Sequence, residues 1–298
     1  MKLTGLHLLL TYQCNFECEH CFLWGSPRQS GTMTLGQIKE ILRQAKEHDS
    51  IRSIYFEGGE AFLYYPILLK GVQLAHELGF ESGIVSNGYW ATTKGDAVEW
   101  LRPFAGILDS ISVSSDLYHY NEMLSQQAQN AQAAARQLGI SLGFISIAQP
   151  DELSAETGTG QLPEGVSGIK YQGRAAANLA QLAEGKPWQS FTECPYEDLR
   201  DPGRVHPDPF GHVHICQGIS IGNLFETRIN EICQAYNADE HPVTGALLAG
   251  GPAELARRYK LSPQEKYADA CHLCDWVRRK LRSRFPEALT PDQMYGEF

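Results

Sequence analysis

The chain has 298 residues, 43% of them hydrophobic and 20% charged, with a net charge of −10 from 25 basic and 35 acidic side chains. That length suits one large domain with an appendage, and the apolar content is enough for a core that needs no disulfide staples. The acidic balance argues against non-specific nucleic-acid binding, and no segment has the length or pattern of a membrane span or a cleavable signal peptide.

In chain order, Leu6–Thr11 reads as a strand, and Leu35–Glu47 as a helix with Ile38, Ile41, Leu42 and Ala45 at helical spacing. Arg52–Glu57 is a strand, Tyr65–Leu78 a helix, Glu81–Ser86 a strand and Ala97–Phe104 part of a helix. Leu108–Ser114, Glu122–Leu138 and Ile140–Ile147 read as strand, helix and strand. Gly168–Tyr171 is the expected sixth strand, followed by a helix over Arg174–Ala183. Six βα units predict a parallel sheet with helical crossovers and are too few for an eightfold barrel. The expected class is therefore α/β, an open, partial (β/α)6 barrel with its active face at the carboxyl ends of the strands. The loop Ala148–Gly165 leaves that face and suits either a lid or a surface insertion.

After about residue 190 the pattern changes. Arg204–His206 and His212–Cys216 flank a turn signal and predict a hairpin. Helices follow near Ile229–Tyr236 and Glu254–Lys260, and a last helix runs through Trp276–Phe285. The expected division is a barrel over residues 1–190 and a small α+β domain over residues 191–298. The basic run from Arg278 to Arg284 is expected on a solvated helix face.

The eight cysteines fall in two groups with one left over. Cys14, Cys18 and Cys21 are spaced C-x3-C-x2-C in the loop after the first strand. A cubic [4Fe–4S] cluster normally takes four cysteines, so three thiolates leave one iron open, as a catalytic centre requires. Asn15, Glu17 and Glu19 argue against buried core thiols, and zinc with His20 as fourth ligand is cramped. Cys194, Cys216, Cys271 and Cys274 are enough for a closed four-thiolate site, which zinc and a [4Fe–4S] cluster suit equally. Cys233 remains, in an apolar stripe with Ile229, Ile232 and Tyr236 that reads as core.

The C-x3-C-x2-C loop after the first strand of a βα barrel resembles the signature of the radical S-adenosylmethionine (SAM) superfamily. Gly58-Gly59-Glu60 after the second strand resembles the family's segment for the methionine amino group of SAM, with Glu60 pairing to the ammonium. Ser86-Asn87-Gly88 after the third strand resembles its ribose-contacting segment. Ser112, Ser114 and Asp116 resemble the polar end of the fourth strand, near the ribose and the methionine carboxylate. His20 stands where the family usually has an aromatic residue whose backbone meets adenine. Arg174, after the sixth strand, is a candidate for holding a carboxylate of SAM or substrate, and His119, after the fourth, a candidate general base.

The resemblance implies reductive cleavage of SAM to a 5′-deoxyadenosyl radical that abstracts hydrogen from substrate. The segment from Cys216 onward, with the C-x2-C pair Cys271 and Cys274, resembles the auxiliary-cluster domains of the SPASM and twitch subfamilies. No cysteine follows Cys274, so one auxiliary [4Fe–4S] cluster is the maximum, in the role of electron acceptor. The implied cofactors are thus two [4Fe–4S] clusters and SAM. The implied partners are a small-molecule substrate and an electron donor such as flavodoxin or ferredoxin, with no nucleic acid or membrane, in the cytoplasm. Dehydrogenation or rearrangement is the leading expectation. The alternatives are a peptide-modifying maturase, an epimerase in which Cys233 donates a hydrogen atom, and a non-catalytic iron–sulfur or zinc protein. Because the first strand starts near residue 1, no leader-peptide-binding domain is expected before it.

Overall fold

The computed structural model describes residues 1–150 and 165–297. The expected lid or insertion at Ala148–Gly165 lies almost wholly outside the described residues. The elements are β1 (Leu3–Thr11), α1 (Leu35–Glu47), β2 (Ser53–Gly58), α2 (Tyr65–Glu77), β3 (Glu81–Ser86), α3 (Lys94–Leu101), β4 (Ser110–Ser114), α4 (Gln126–Leu138), β5 (Ser141–Ile147), β6 (Gly165–Ser167) and α5 (Arg174–Asn178). They continue as β7 (Lys186–Pro187), β8 (Gly203–Pro207), β9 (His212–Cys216), β10 (Ile219–Asn223), α6 (Ile229–Ala235), α7 (Thr244–Arg258), β11 (Lys266–Tyr267) and α8 (Ala270–Leu281). No described helix is long and apolar enough to cross a membrane.

The main sheet runs β10-β9-β8-β1-β2-β3-β4-β5-β6. Strands β1 to β6 are parallel neighbours in sequence order, which is the α/β partial barrel expected from the βα repetition. The hairpin after residue 200 extends this sheet: β8 lies parallel to β1, with Gly5 opposite Arg204, while β9 and β10 turn back antiparallel.

Period-two alternation divides the strands into two faces. Leu6, Leu8 and Leu10 of β1, Ile54 and Phe56 of β2, Ile84 of β3, and Ile111 and Val113 of β4 are fully or almost fully buried in one apolar core with residues of α1 to α4. Burying each such side chain contributes about 1.5–3 kcal/mol. The residues between them, among them Gly5, His7, Ser53, Tyr55, Glu57, Gly83, Ser110 and Ser112, point the other way and give the barrel a small or polar lumen. The flanking helices begin where local chemistry directs. Thr34 and Gln37 form a reciprocal capping box on α1, Ser125 caps α4, and Gly139 at φ +74° ends it.

Five expectations change. The helix expected near Glu254–Lys260 is Thr244–Arg258, and the last helix is Ala270–Leu281 rather than Trp276–Phe285. The sixth strand is Gly165–Ser167 rather than Gly168–Tyr171. Past Ser167 the chain leaves the sheet: the Tyr171 N–H donates to Asp269 and the Gly173 N–H to Asp275, both at α8. The helix after it ends at Asn178, with a 3-10 turn at Ala180–Leu182. Finally, the basic run is only partly solvated: Lys280 and Arg284 are exposed, but the other three arginines are engaged. Arg278 is 2% exposed, Arg279 donates to Asp275 and to the Tyr295 carbonyl, and Arg282 pairs with Asp292 and Glu297. The reason is the C-terminal segment, which folds back against α8.

Gly83 makes room for the lumen's largest ring. An added Cβ would meet the Tyr55 ring at 2.3 Å, and Tyr55 stacks on His7 with centroids 4.7 Å apart. Gly83→Ala is expected to lower the urea unfolding free energy by about 1–3 kcal/mol, as overpacking does. Adding Tyr55→Leu in the same chain should recover part of the loss, and an additive double variant would mean that the two positions do not touch.

Candidate active site

The cysteine loop follows β1 and is held from several sides. Cys14 N–H donates to the Ser26 carbonyl, and Cys21 N–H to the Cys18 carbonyl. Arg174, at the start of α5, clamps the loop. Its backbone N–H donates to the Cys21 carbonyl, and its guanidinium donates to the carbonyls of Cys18 (2.7 Å) and Gly25 (2.9 Å). Arg174 is buried and braces the cysteine loop through these donors, and its Nη2 also lies 4.0 Å from the Glu17 carboxylate.

The loop offers its sulfurs to a positive centre. Phe16 N–H points at Cys14 Sγ and Gly25 N–H at Cys21 Sγ, each at 3.3 Å, and Asn87 Nδ2 lies 3.6 Å from Cys14 Sγ. Donors aimed at sulfur favour thiolates. Burial and the charges of neighbouring acidic groups push the Cys14 thiol up to about 12, and burial likewise raises Cys18. Three thiolates in this loop therefore need a cation between them, which fits an iron–sulfur centre.

Gly58 and Gly59 border the cavity and also let two backbone segments meet. A Cβ on Gly59 would sit 2.1 Å from the Gln13 carbonyl oxygen, and one on Gly58 2.4 Å from that of Thr11, with φ at +143°. Gly59 N–H donates to Thr11 (2.7 Å) and Glu60 N–H to Gln13 (2.8 Å). The bare backbone lets the end of β2 close on the cysteine loop. Glu60 is fully buried and does not border the cavity. Its carboxylate accepts from Phe62 N–H (3.0 Å), Ser86 Oγ (2.9 Å) and Asn87 N–H (2.7 Å). These internal donors use the carboxylate to tie β2 to β3.

At the end of β4, Asp116 is fully buried. One oxygen accepts from the Tyr118 and His119 N–H groups and lies 2.8 Å from His119 Nδ1; the other accepts from Ile147 N–H. Burial alone would raise this carboxyl, but the bond to His119 and the histidine charges hold it below its ordinary value. The His20 ring packs 4.6 Å from Tyr118 and 5.1 Å from His119. Its Nδ1 is buried with no partner among the described residues, and burial lowers its pKa to about 4.

A cavity of about 240 Å³ opens at the carboxyl ends of the strands. It brings together Cys14, Cys18, Cys21, His20, Gly58, Gly59, Ser86, Asn87, Ser114, Asp116 and His119. Its other wall was not singled out from sequence: Glu57, Arg204 and His206, with Lys170, Gln172 and Gln217. Glu57 Oε1 lies 2.8 Å from His206 Nδ1, and Oε2 lies 3.4 Å from His7 Nδ1. Burial would raise the Glu57 carboxyl, but the two imidazoles outweigh it and hold it well below the usual range. The strand alternation was the available signal, since His7, Glu57, Arg204 and His206 all lie on lumen-facing positions.

Cys233 is not brought to the cavity. It is buried on α6 in the barrel core with Leu224, Ile229 and Ile232, and α6 is tied to α1 by Ile229 N–H donating to Gln44 Oε1. Burial pushes its thiol up to about 11. The apolar stripe directs it inward, so the expectation of a hydrogen-donating thiol is corrected to a core residue.

Cys194, Cys216, Cys271 and Cys274 converge away from this cavity. Cys194 follows a segment fixed by a kink in α7: Gly251, at φ +64°, lies against the Thr192–Glu193 backbone, and Ala253 N–H donates to Phe191. Cys216 ends β9, and Cys271 and Cys274 stand in the first turns of α8, capped by Asp269. Burial raises all four thiols, Cys274 to about 11, and Cys216, Cys271 and Cys274 each feel the charge of others in the set. Among the described residues, the sets of three ligand atoms within 4.8 Å of one another are His7, Glu57 and His206, and His20, Asp116 and His119; no cysteine trio is among them. One tetrahedral ion bound at about 2.3 Å by each thiolate needs sulfurs roughly 3.8 Å apart. A cluster whose thiolates cap different irons holds them farther apart.

Residues 8–121 match the Radical SAM superfamily. The chain is 27% identical over 122 residues to YydG of Bacillus subtilis (strain 168), named for peptide biosynthesis, covering 41% of this chain and 38% of that protein. It is 26% identical over 117 residues to an S-adenosylmethionine-dependent nucleotide dehydratase of Fibrobacter sp. (strain UWH6), covering 37% and 33%. These matches span about a third of the length of the curated relatives. The fold is similar to that of BtrN in complex with AdoMet and 2-DOIA, at 15% identity and TM-score 0.50 over 92% of this chain and 93% of that one. It is also similar to anSMEcpe with bound AdoMet and Cp18Cys peptide, at 12% identity and TM-score 0.50 over 97% and 98%.

Glu60→Ala would leave the Phe62, Ser86 and Asn87 donors without their acceptor, at about 1–3 kcal/mol for each donor that stays unpaired. A second signature follows from pH. Burial pushes the Glu60 carboxyl up from 4.5 to about 7, so folding retains its proton across that interval, and its contribution to stability falls as pH rises from 4.5 to 7. Thermal unfolding should show a shallower pH slope in Glu60→Ala than in wild type over that window. Parallel slopes would place the carboxylate elsewhere.

Proposed function

The chain carries a radical SAM domain over residues 8–121, and on that premise we propose that it dehydrogenates a small polar substrate, with one auxiliary [4Fe–4S] cluster as electron acceptor. The observation that carries this reading is the Glu57–His206 pair that borders the same cavity as the cysteine loop. Glu57 holds His206 by its Nδ1 at 2.8 Å, which leaves Nε2 as the free ring acceptor beside the cavity. His206 takes the proton of a substrate hydroxyl or ammonium group, and the Glu57 carboxylate stabilises the imidazolium that forms. His119, oriented by Asp116, is a second candidate base at the mouth of the same cavity.

Cys14, Cys18 and Cys21 hold the first cluster, and His20, Gly58, Gly59, Ser86, Asn87, Ser114 and Asp116 border SAM. When bound, the reduced cluster and SAM would supply the radical that abstracts hydrogen. Glu60 and Arg174 act one layer behind, fixing the loop that presents these groups. Cys194, Cys216, Cys271 and Cys274 hold the second cluster, in a C-terminal part from about residue 191 whose hairpin is continuous with the barrel sheet. The reading includes a flavodoxin or ferredoxin as electron donor and a cytoplasmic location, where thiols stay reduced. A peptide substrate is the second reading, favoured by the likeness to YydG.

Anaerobic reconstitution should yield about eight iron atoms per chain, two four-iron clusters, and dithionite with SAM should release 5′-deoxyadenosine. Replacing Cys14, Cys18 and Cys21 together by Ala should abolish that release. Replacing the four C-terminal cysteines should remove about half the iron and leave the release in place. Cleavage that survives the N-terminal triple variant would sink the first site, and zinc in place of half the iron would sink the second.

A further inference from the structure

The four C-terminal cysteines stand together in a buried region, and the guanidinium of Arg278 lies beside them. Cys271, Cys274 and Arg278 stand at i, i+3 and i+7 on α8, which places them along one face of the helix. Arg278 is 2% exposed. Its Nη1 donates to the carbonyl of Gln217, the residue after Cys216, so the guanidinium reaches from the helix toward the end of β9. Its Nε is buried without a partner among the described residues.

Arg278 also has no carboxylate within ion-pair distance among the described residues. Asp275, one turn earlier, is engaged by Arg279 at 2.7 Å. On the other side lies the Tyr295 ring, 6.0 Å from the guanidinium carbon. The groups that feel the charge of Arg278 include Cys216, Cys274 and Cys194, together with Tyr295 and Asp275. A buried guanidinium is costly unless an anion compensates it, and the thiolates of a bound cluster are the anions this site can provide.

We propose that Arg278 is the built-in counter-charge of the auxiliary cluster and raises its reduction potential, so that the cluster accepts an electron readily. The inference rests on the four-cysteine site holding a [4Fe–4S] centre. One-electron reduction adds one negative charge to the cluster and breaks no bond. A guanidinium, which stays protonated at any working pH, stabilises that added charge without taking up a proton. Arg278 thereby acts through the cluster as a tuning residue and has no direct part in the chemistry on substrate.

The test is a redox titration of the reconstituted full chain, followed by electron paramagnetic resonance. A background with Cys14, Cys18 and Cys21 replaced by Ala isolates the auxiliary signal. Arg278→Gln should weaken reduction at least tenfold, a shift of about 59 mV to more negative potential for a one-electron couple, whereas Arg278→Lys should stay within about threefold of the parent, a far smaller shift on the same scale. If Arg278→Gln cannot hold the cluster, the lysine variant should still hold it, because it keeps the charge. An unchanged potential in Arg278→Gln overturns the proposal, as does loss of the cluster, or an equal shift, in both variants. Zinc at the site of the parent protein overturns the proposal together with the reading on which it rests, whereas an unchanged potential overturns the role of Arg278 alone.

Discussion

The active face depends on one close approach. The end of β2 packs against the carbonyls of Thr11 and Gln13 at a distance that only glycine permits at positions 58 and 59. Two backbone bonds, Gly59 to Thr11 and Glu60 to Gln13, fix the start of the cysteine loop to the sheet. From that contact the rest follows outward. Glu60 turns inward and gathers donors from Phe62, Ser86 and Asn87, which carries the constraint to β3. Asn87 then reaches back to Asn15 and toward Cys14. The three strand ends and the cysteine loop thus form one closed set of hydrogen bonds, and a loop of otherwise weak local preference gains a defined shape.

Each cysteine group is accompanied by a buried arginine, used in a different way. Arg174 donates both arms of its guanidinium to carbonyls of the N-terminal loop, so its donors are satisfied and it acts as a brace. Arg278 donates to one carbonyl and keeps a buried Nε unpartnered beside the C-terminal thiols. Both guanidiniums keep their full charge, because hydrogen bonds to carbonyls do not neutralise it; Arg174 has the Glu17 carboxylate 4.0 Å away, whereas Arg278 has no carboxylate within ion-pair distance among the described residues.

The cavity between the β strands has chemically distinct walls. On one side lie the thiols, glycines and short polar groups at the strand ends; on the other lie Glu57, His206 and Arg204. This polarity inside a barrel is possible because the apolar core sits outside the sheet, under the helices. The lumen is relieved of the stabilising role and is free to carry groups that would be costly in a core. Glu57 illustrates the point: the paired imidazoles of His7 and His206 keep its carboxyl low despite burial.

Local patterns in the sequence determined the βα order, most helix limits, and both groups of cysteines, because these depend on periodicity, caps and short spacings. They also marked Gly58, Gly59 and Glu60, but not the internal contacts these make: which atoms crowd a glycine or satisfy a carboxylate depends on a neighbouring strand. The apolar stripe already read Cys233 as core, where the structure places it, but only the tertiary structure gave Arg174 its clamp. It buried Arg278 under a C-terminal segment, which no helical pattern within residues 276–285 could signal. The Glu57–His206 wall was decided in the same way, by three adjacent strands whose sequence positions, 7, 57 and 206, lie far apart. Spacing along a chain fixes what its own backbone can reach within a few turns; side chains that meet across a sheet are set by register and strand order, which the packing of the whole core selects.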